Sequence, residues 1–208
     1  MTAAQRLFDA IGAQLILHHN FADAPPRLGD DYEISEILGA GGFGLICRAT
    51  QLALRRQVAL KLFTITEAGA REALREARSL ARLEHPGIVA VYAAGESELV
   101  AGERFPCAFV EMQLIDGQNL RDWLGAAPRE GGAVLTLLIE AGRALAHAHQ
   151  AGLLHRDFKP ENLMIDRSGQ VKIIDFGLAL AAESSDTEPR DDEALARGRP
   201  GADALATR

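Results

Sequence analysis

Apolar positions Leu7, Phe8, Ile11, Leu15 and Ile16 or Leu17 recur at roughly helical spacing near the N-terminus, which predicts an amphipathic helix packing on its own domain. Ala24-Pro25-Pro26-Arg27-Leu28-Gly29 then breaks the pattern and reads as a linker. From Tyr32 the period shortens. YEISEILGAGGFGLICRAT gives two short strands around a glycine cluster, and QVALKLF gives a third. Residues 67–83, EAGAREALREARSLARL, are dominated by helix formers, and His85-Pro86-Gly87 ends that helix. IVAVYAAGE and FPCAFVEMQL follow as two more strands. The first half is thus expected to be a small, mostly antiparallel sheet carrying one helix.

The second half changes period again. NLRDWLGA and GGAVLTLLIEAGRALAHAHQAG read as helices, the longer one (131–152) with Val134, Leu138, Ala141, Leu145 and Ala148 on one face. NLMID and VKIID, with a turn at Arg167-Ser168-Gly169, form a hairpin. The class is α+β. After Leu180 large apolar residues are few and an acidic cluster appears (Glu183, Asp186, Glu188, Asp191, Asp192, Glu193), a composition that reads as a disordered tail over 181–208.

Composition alters this picture little. Among 208 residues, 48% are hydrophobic and 25% charged, the profile of an ordinary globular protein. A net charge of -7 argues against a nucleic-acid partner. No apolar run approaches the ~18 residues of a membrane span, and the N-terminus lacks a signal-peptide pattern. Cys47 and Cys107 have no metal-ligand spacing and read as reduced thiols of a cytoplasmic protein.

Candidate chemistry begins at the glycines. Gly39, Gly41 and Gly44 fit G-x-G-x-x-G, a backbone able to approach phosphates closely. Leu45 and Ile46 after the last glycine exclude a Walker A loop. The strands on both sides, with Lys61 where a dinucleotide site has an acid, exclude that fingerprint too. A plain glycine-rich hairpin stays open at this point. Lys61 lies in the apolar strand VALKLF, where an unpaired ammonium is costly to bury. It either reaches solvent from an edge or grips phosphate oxygens, oriented by Glu72 or Glu76 of the next helix.

LGAGGFGLI (38–46), VALK (58–61), EARSLARLEHPGIV (76–89), HRDFKPEN (155–162) and DFG (175–177) occur in one order, and together they resemble the protein kinase family, specifically its bacterial Ser/Thr branch. The resemblance covers residues 32–180 and implies a protein-kinase-like fold: an N-lobe over about 32–112 and a partial, mainly helical C-lobe over about 116–180, preceded by an N-terminal extension at 1–31. It implies ATP and Mg2+ as cofactors and a protein serine or threonine as acceptor. Gly39, Ala40, Gly41, Gly42, Phe43 and Gly44 would cover the phosphates, with Phe43 at the tip. Leu38 and Ile46 would sandwich the adenine with Ala59. Lys61 would contact the α- and β-phosphates and pair with Glu76, favoured over Glu72 by its distance from His85-Pro86. Met112 would guard the back of the adenine pocket, and Gln113 and Ile115 would offer backbone groups to the base.

In the catalytic loop, Asp157 would be a bare carboxylate that orients the attacking hydroxyl, and Lys159 would neutralise the γ-phosphate. Asn162 and Asp175 would hold Mg2+ through oxygen. Lys159 also goes with Ser/Thr specificity and weighs against a small-molecule phosphotransferase. His155 reads as structural, Trp123 as packing, and His147 and His149 as poor joint metal ligands on different helix faces. The family pattern continues into an activation segment and further helices, of which the 208 residues show no sign. Ser184, Ser185 and Thr187 fall there; a phosphate on them would suit Arg156, although a solvated tail is the plainer reading. Without those helices the helix at 131–152 exposes apolar surface, which suggests either a chain too short for full activity or a nucleotide-binding regulatory module whose partner covers that helix.

Overall fold

The computed structural model describes residues 2–41, 44–65 and 67–176, excluding the side chains of residues 41 and 67–72. The expectations for Gly42, Phe43, the Glu72 side chain, Gly177, the three hydroxyl residues at 184–187 and the acidic tail lie outside these residues.

Strand alternation builds the first half. β1 (Arg27–Leu28), β2 (Tyr32–Gly41), β3 (Gly44–Gln51), β4 (Arg56–Thr64), β5 (Val91–Ala101) and β6 (Glu103–Gln113) close into an antiparallel barrel of order β1-β2-β3-β4-β6-β5. Leu45, Cys47 and Ala49 of β3 point inward with Val58, Leu60 and Leu62 of β4. The alternate β4 residues Ala59, Lys61 and Phe63 are buried on the other side, so β4 is apolar on both faces. Helix α1 (Ala3–Phe21), capped by Thr2, packs on the inner cluster through fully buried Leu7 and Ile11, as expected. Helix α2 (Glu67–Leu80) covers the other face through Ala73, Leu74 and Ala77. Gly44, at φ 118°, answers the glycine question: a Cβ there would lie 2.4 Å from the Leu62 carbonyl oxygen.

The second half packs α3 (Leu120–Ala126) and α4 (Gly131–Gln150) with a small sheet of order β7-β8-β9: β7 (Gly117–Asn119), β8 (Leu163–Asp166) and β9 (Val171–Ile173). Its core joins Leu80, Ile88, Leu137, Ala141, Ala144, Ala148, Leu163, Ile173 and Phe176. The two halves meet where Val89 donates to the Ile173 carbonyl (3.0 Å) and Ile173 to that of Gly87 (2.8 Å).

Four expectations change. Residues 27–28 are a barrel strand pairing with both β2 and β5, where a linker was expected, because the free strand edges take up the chain's backbone groups. α2 stops at Leu80, three residues early. β7 was not anticipated; its three residues carry no period of their own. On α4, Leu137 and Ala144 join Ala141 and Ala148 in the core while Leu138 faces out, since α4 carries large apolar residues on both sides and periodicity alone does not choose between them.

Candidate functional site

Lys61 is 4% exposed and its Nζ donates to Asp175 Oδ1 at 2.8 Å, 114 positions on. The expected partner was Glu76; that carboxylate instead accepts from Arg156 Nη1 at 3.0 Å. The exchange follows from where α2 lies: it presents Glu76 to the loop after α4, while the segment after β9 brings Asp175 under β4. Both loop residues are held in left-handed backbone, Arg156 at φ 63° and Asp175 at φ 58°. For non-glycine residues this costs roughly 1–3 kcal/mol and concentrates at functional sites.

The loop after α4 is built around its ring and its amide. His155, 2% exposed, donates Nε2–H to the Ile174 carbonyl at 2.8 Å and packs on Phe176 at 4.8 Å between centroids. Burial keeps it below the usual imidazole range, and thus neutral, in keeping with a structural role. Asn162 Nδ2 donates to the Asp157 carbonyl (2.8 Å) and to Asp157 Oδ2 (3.2 Å), and the Asn162 carbonyl accepts from Ile174 N (2.9 Å). One asparagine therefore ties the Asp157 loop to the segment carrying Asp175.

Asp157 is not the bare carboxylate expected. Lys159 Nζ donates to it at 2.6 Å, and that bond, with the Asn162 bond, holds the carboxyl below the usual range. Lys159 is raised in turn by the same contact. The opposite charges draw the two side chains together.

On the apolar side, Ala59 and Met112 are buried in one cluster with Leu114, Ile115 and Ile174 partly buried against it. The Gln113 N–H is committed to the Ala90 carbonyl at 2.8 Å, so it is not among the backbone groups that the residue can offer a base. Ile46 is half-buried, Leu38 is 41% exposed, and a Cβ on Gly39 would meet nothing within 4 Å, which leaves the face of the hairpin open. Asn162 and Asp175 carry the amide and carboxylate oxygens that suit Mg2+, which takes few protein ligands and completes its shell with phosphate and water. Among the described residues no cluster of three His, Cys, Asp or Glu side chains is arranged for a metal.

The protein kinase domain family matches residues 32–195, and the chain belongs to that family. Among its relatives are the serine/threonine-protein kinase PknB of Mycobacterium leprae, 39% identical over 166 residues, and PrkC of Bacillus subtilis, 33% identical over 164. These alignments cover 77% and 76% of this chain but 26% and 24% of the relatives' length. A solved kinase domain of Mycobacterium tuberculosis PknI, in a mutant form, superposes with a TM-score of 0.62 at 29% identity, covering 76% of this chain and 63% of that one. The α+β kinase fold is shared with it.

Proposed function

We propose that this chain binds Mg-ATP between the barrel and the α4 half and transfers the γ-phosphate to a serine or threonine hydroxyl of a protein. The observation that carries the reading is the 2.8 Å contact of Lys61 with Asp175, which brings together an ammonium of β4 and a carboxylate 114 positions further along the chain. Lys61 holds the α- and β-phosphates; Leu38, Ile46, Ala59, Met112 and Ile115 enclose the base. Asn162 and Asp175 hold Mg2+, which supplies charge neutralisation at the phosphates when bound. Asp157, ionised and fixed by Asn162, orients the acceptor hydroxyl and receives its proton as the O–P bond forms and the bond from the γ-phosphorus to the bridging oxygen breaks. Lys159 lies beside it to meet the transferred group. No helix among the described residues is long and apolar enough to cross a membrane; we assign the chain to the cytoplasm, where free Cys47 and Cys107 stay reduced.

A second reading is favoured by α4, whose outward side exposes Leu135 (58%) and Ile139 (46%): a nucleotide-binding regulatory module whose partner covers that helix. Titration with a fluorescent ATP analogue, with and without Mg2+, together with radiolabel transfer by the chain and its Asp157→Ala variant, separates the readings. Mg2+-dependent binding by both proteins, with transfer reduced at least ~100-fold in the variant, supports the kinase. Binding without transfer by either supports the regulatory module. Equal labelling by both removes Asp157 from the mechanism.

A further inference from the structure

The loop between α2 and β5 is closed on itself by one bond and fastened to the second half by others. Gly87 N–H donates to His85 Nδ1 at 3.0 Å, Lys172 Nζ donates to the Pro86 carbonyl at 2.7 Å, and Ile173 N–H donates to that of Gly87. Gly87 sits so close to α4 that a Cβ would lie 3.0 Å from that of Ala144. Above it the His85 ring lies 5.1 Å from the His147 ring, tilted by 32°. By spacing alone His147 is a poor metal ligand and His85 merely ends a helix; the fold brings the two rings together.

We propose that His85 is a positioning residue for the nucleotide site: its neutral ring locks the α2–β5 loop onto α4 and β9, and its protonation releases that lock. The inference rests on the Mg-ATP reading above. An Nδ1 that accepts from Gly87 carries no proton, so the proton of neutral His85 is on Nε2. Protonating Nδ1 sets N–H against N–H and costs the loop its acceptor. The new cation also faces His147 on α4 and Lys172 on β9; both act on His85 electrostatically and neither compensates it. Glu84 adjoins in the same loop, and Arg143 lies one turn before His147 on α4. Burial, then His147 and Lys172, hold His85 below the usual imidazole range. The neutral form therefore dominates at pH 7, and the lock weakens as pH falls below about 6.5. Because α2 ends just before this loop and carries Glu76, releasing the loop frees the helix whose position decides the partners of Arg156 and Lys61.

The test compares the full chain with His85→Asn, whose Oδ1 accepts from Gly87 but does not titrate. Two quantities are followed from pH 7.5 to 5.5: hydrogen-exchange protection of the Gly87 amide, corrected for intrinsic rate, and the Kd of a fluorescent ATP analogue with Mg2+. His85→Asn leaves the nucleotide and every other side chain in place, so the ratio between the two proteins reports on the ring at position 85. Expected are a roughly tenfold loss of Gly87 protection and a Kd rise at least ~3-fold larger in the wild type than in the variant. His147→Phe, which removes the imidazole facing His85, should move the loss of Gly87 protection to higher pH than in the wild type. Matching pH profiles in wild type and His85→Asn overturn the lock, and a protection change with no difference in Kd overturns the positioning role. Failure of both proteins to bind nucleotide at pH 7.5 sinks the Mg-ATP reading, and Gly87 protection then still decides the lock.

Discussion

Glu111 is 1% exposed, yet it is fully engaged: Tyr32 Oη donates to Oε2 and Arg56 Nη2 to Oε1, each at 2.9 Å. Burial first, then the Glu111 bond, push the Tyr32 phenol upward, so it stays a donor. Arg56 also lies over the Tyr92 ring at 4.1 Å. Removing the cation leaves a buried carboxylate with one partner fewer. Arg56→Met is therefore expected to cost about 2 kcal/mol in urea unfolding, below the roughly 3–5 kcal/mol of a fully buried pair because Arg56 is partly exposed. At Asp157 the pH dependence has the same sign as at His85, since both values are lowered in the fold. Lys159 holds the folded carboxyl below its unfolded value, so the charged form contributes stability above about pH 4 that is lost as pH falls through the lowered folded value. Asp157 should accordingly stay ionised throughout pH 5–7, and Lys159→Met should move its carbon-13 carboxyl titration upward. An unmoved titration would mean that Asn162 alone fixes the charge.

At the scale of elements, α1 and β1 lie before residue 32, where the family match begins, yet they are built into the barrel. Leu7 and Ile11 pack beneath Leu60 and Leu62, the inward neighbours of Lys61 on β4. Ile11→Ala should thus destabilise the barrel by about 3 kcal/mol in chemical denaturation, as for other fully buried large-to-small changes. The helical spacing made α1 readable in advance, but only Leu7, Ile11 and Leu15 of its expected face dock; Phe8, Ile16 and Leu17 are exposed, because the helix also carries apolar residues away from the barrel. α4 was readable as a helix but not in its orientation, because Leu135, Leu138 and Ile139 oppose Leu137, Ala141 and Ala144 around the same axis. β1 could not be read at all: two residues have no period, and their strand character comes from the edges of β2 and β5.

For the whole molecule, the outward side of α4 matters most. Exposed Leu135, Leu138 and Ile139 share it, and a helix that is apolar all round ordinarily lies buried. The double change Leu135→Lys and Ile139→Lys is expected to lower concentration-dependent association in sedimentation velocity while leaving nucleotide affinity unchanged. A wild type that stays monomeric at tens of micromolar would show that this face does not drive association.

The order of glycine hairpin, lysine strand, helix acid and two loop aspartates is local chemistry, and the chain by itself pointed to a candidate phosphate-handling set and to the residues proposed for it. It likewise made the longer strands and helices legible, since period and composition act over a few residues, but not β1 or β7. Which carboxylate meets Lys61 was decided only by the tertiary structure: the sequence offers Glu76 and Asp175 alike, and the placement of α2 against the loop at Arg156 selects between them. The same holds for the face of α4 and for β1, whose environments are made by segments distant along the chain.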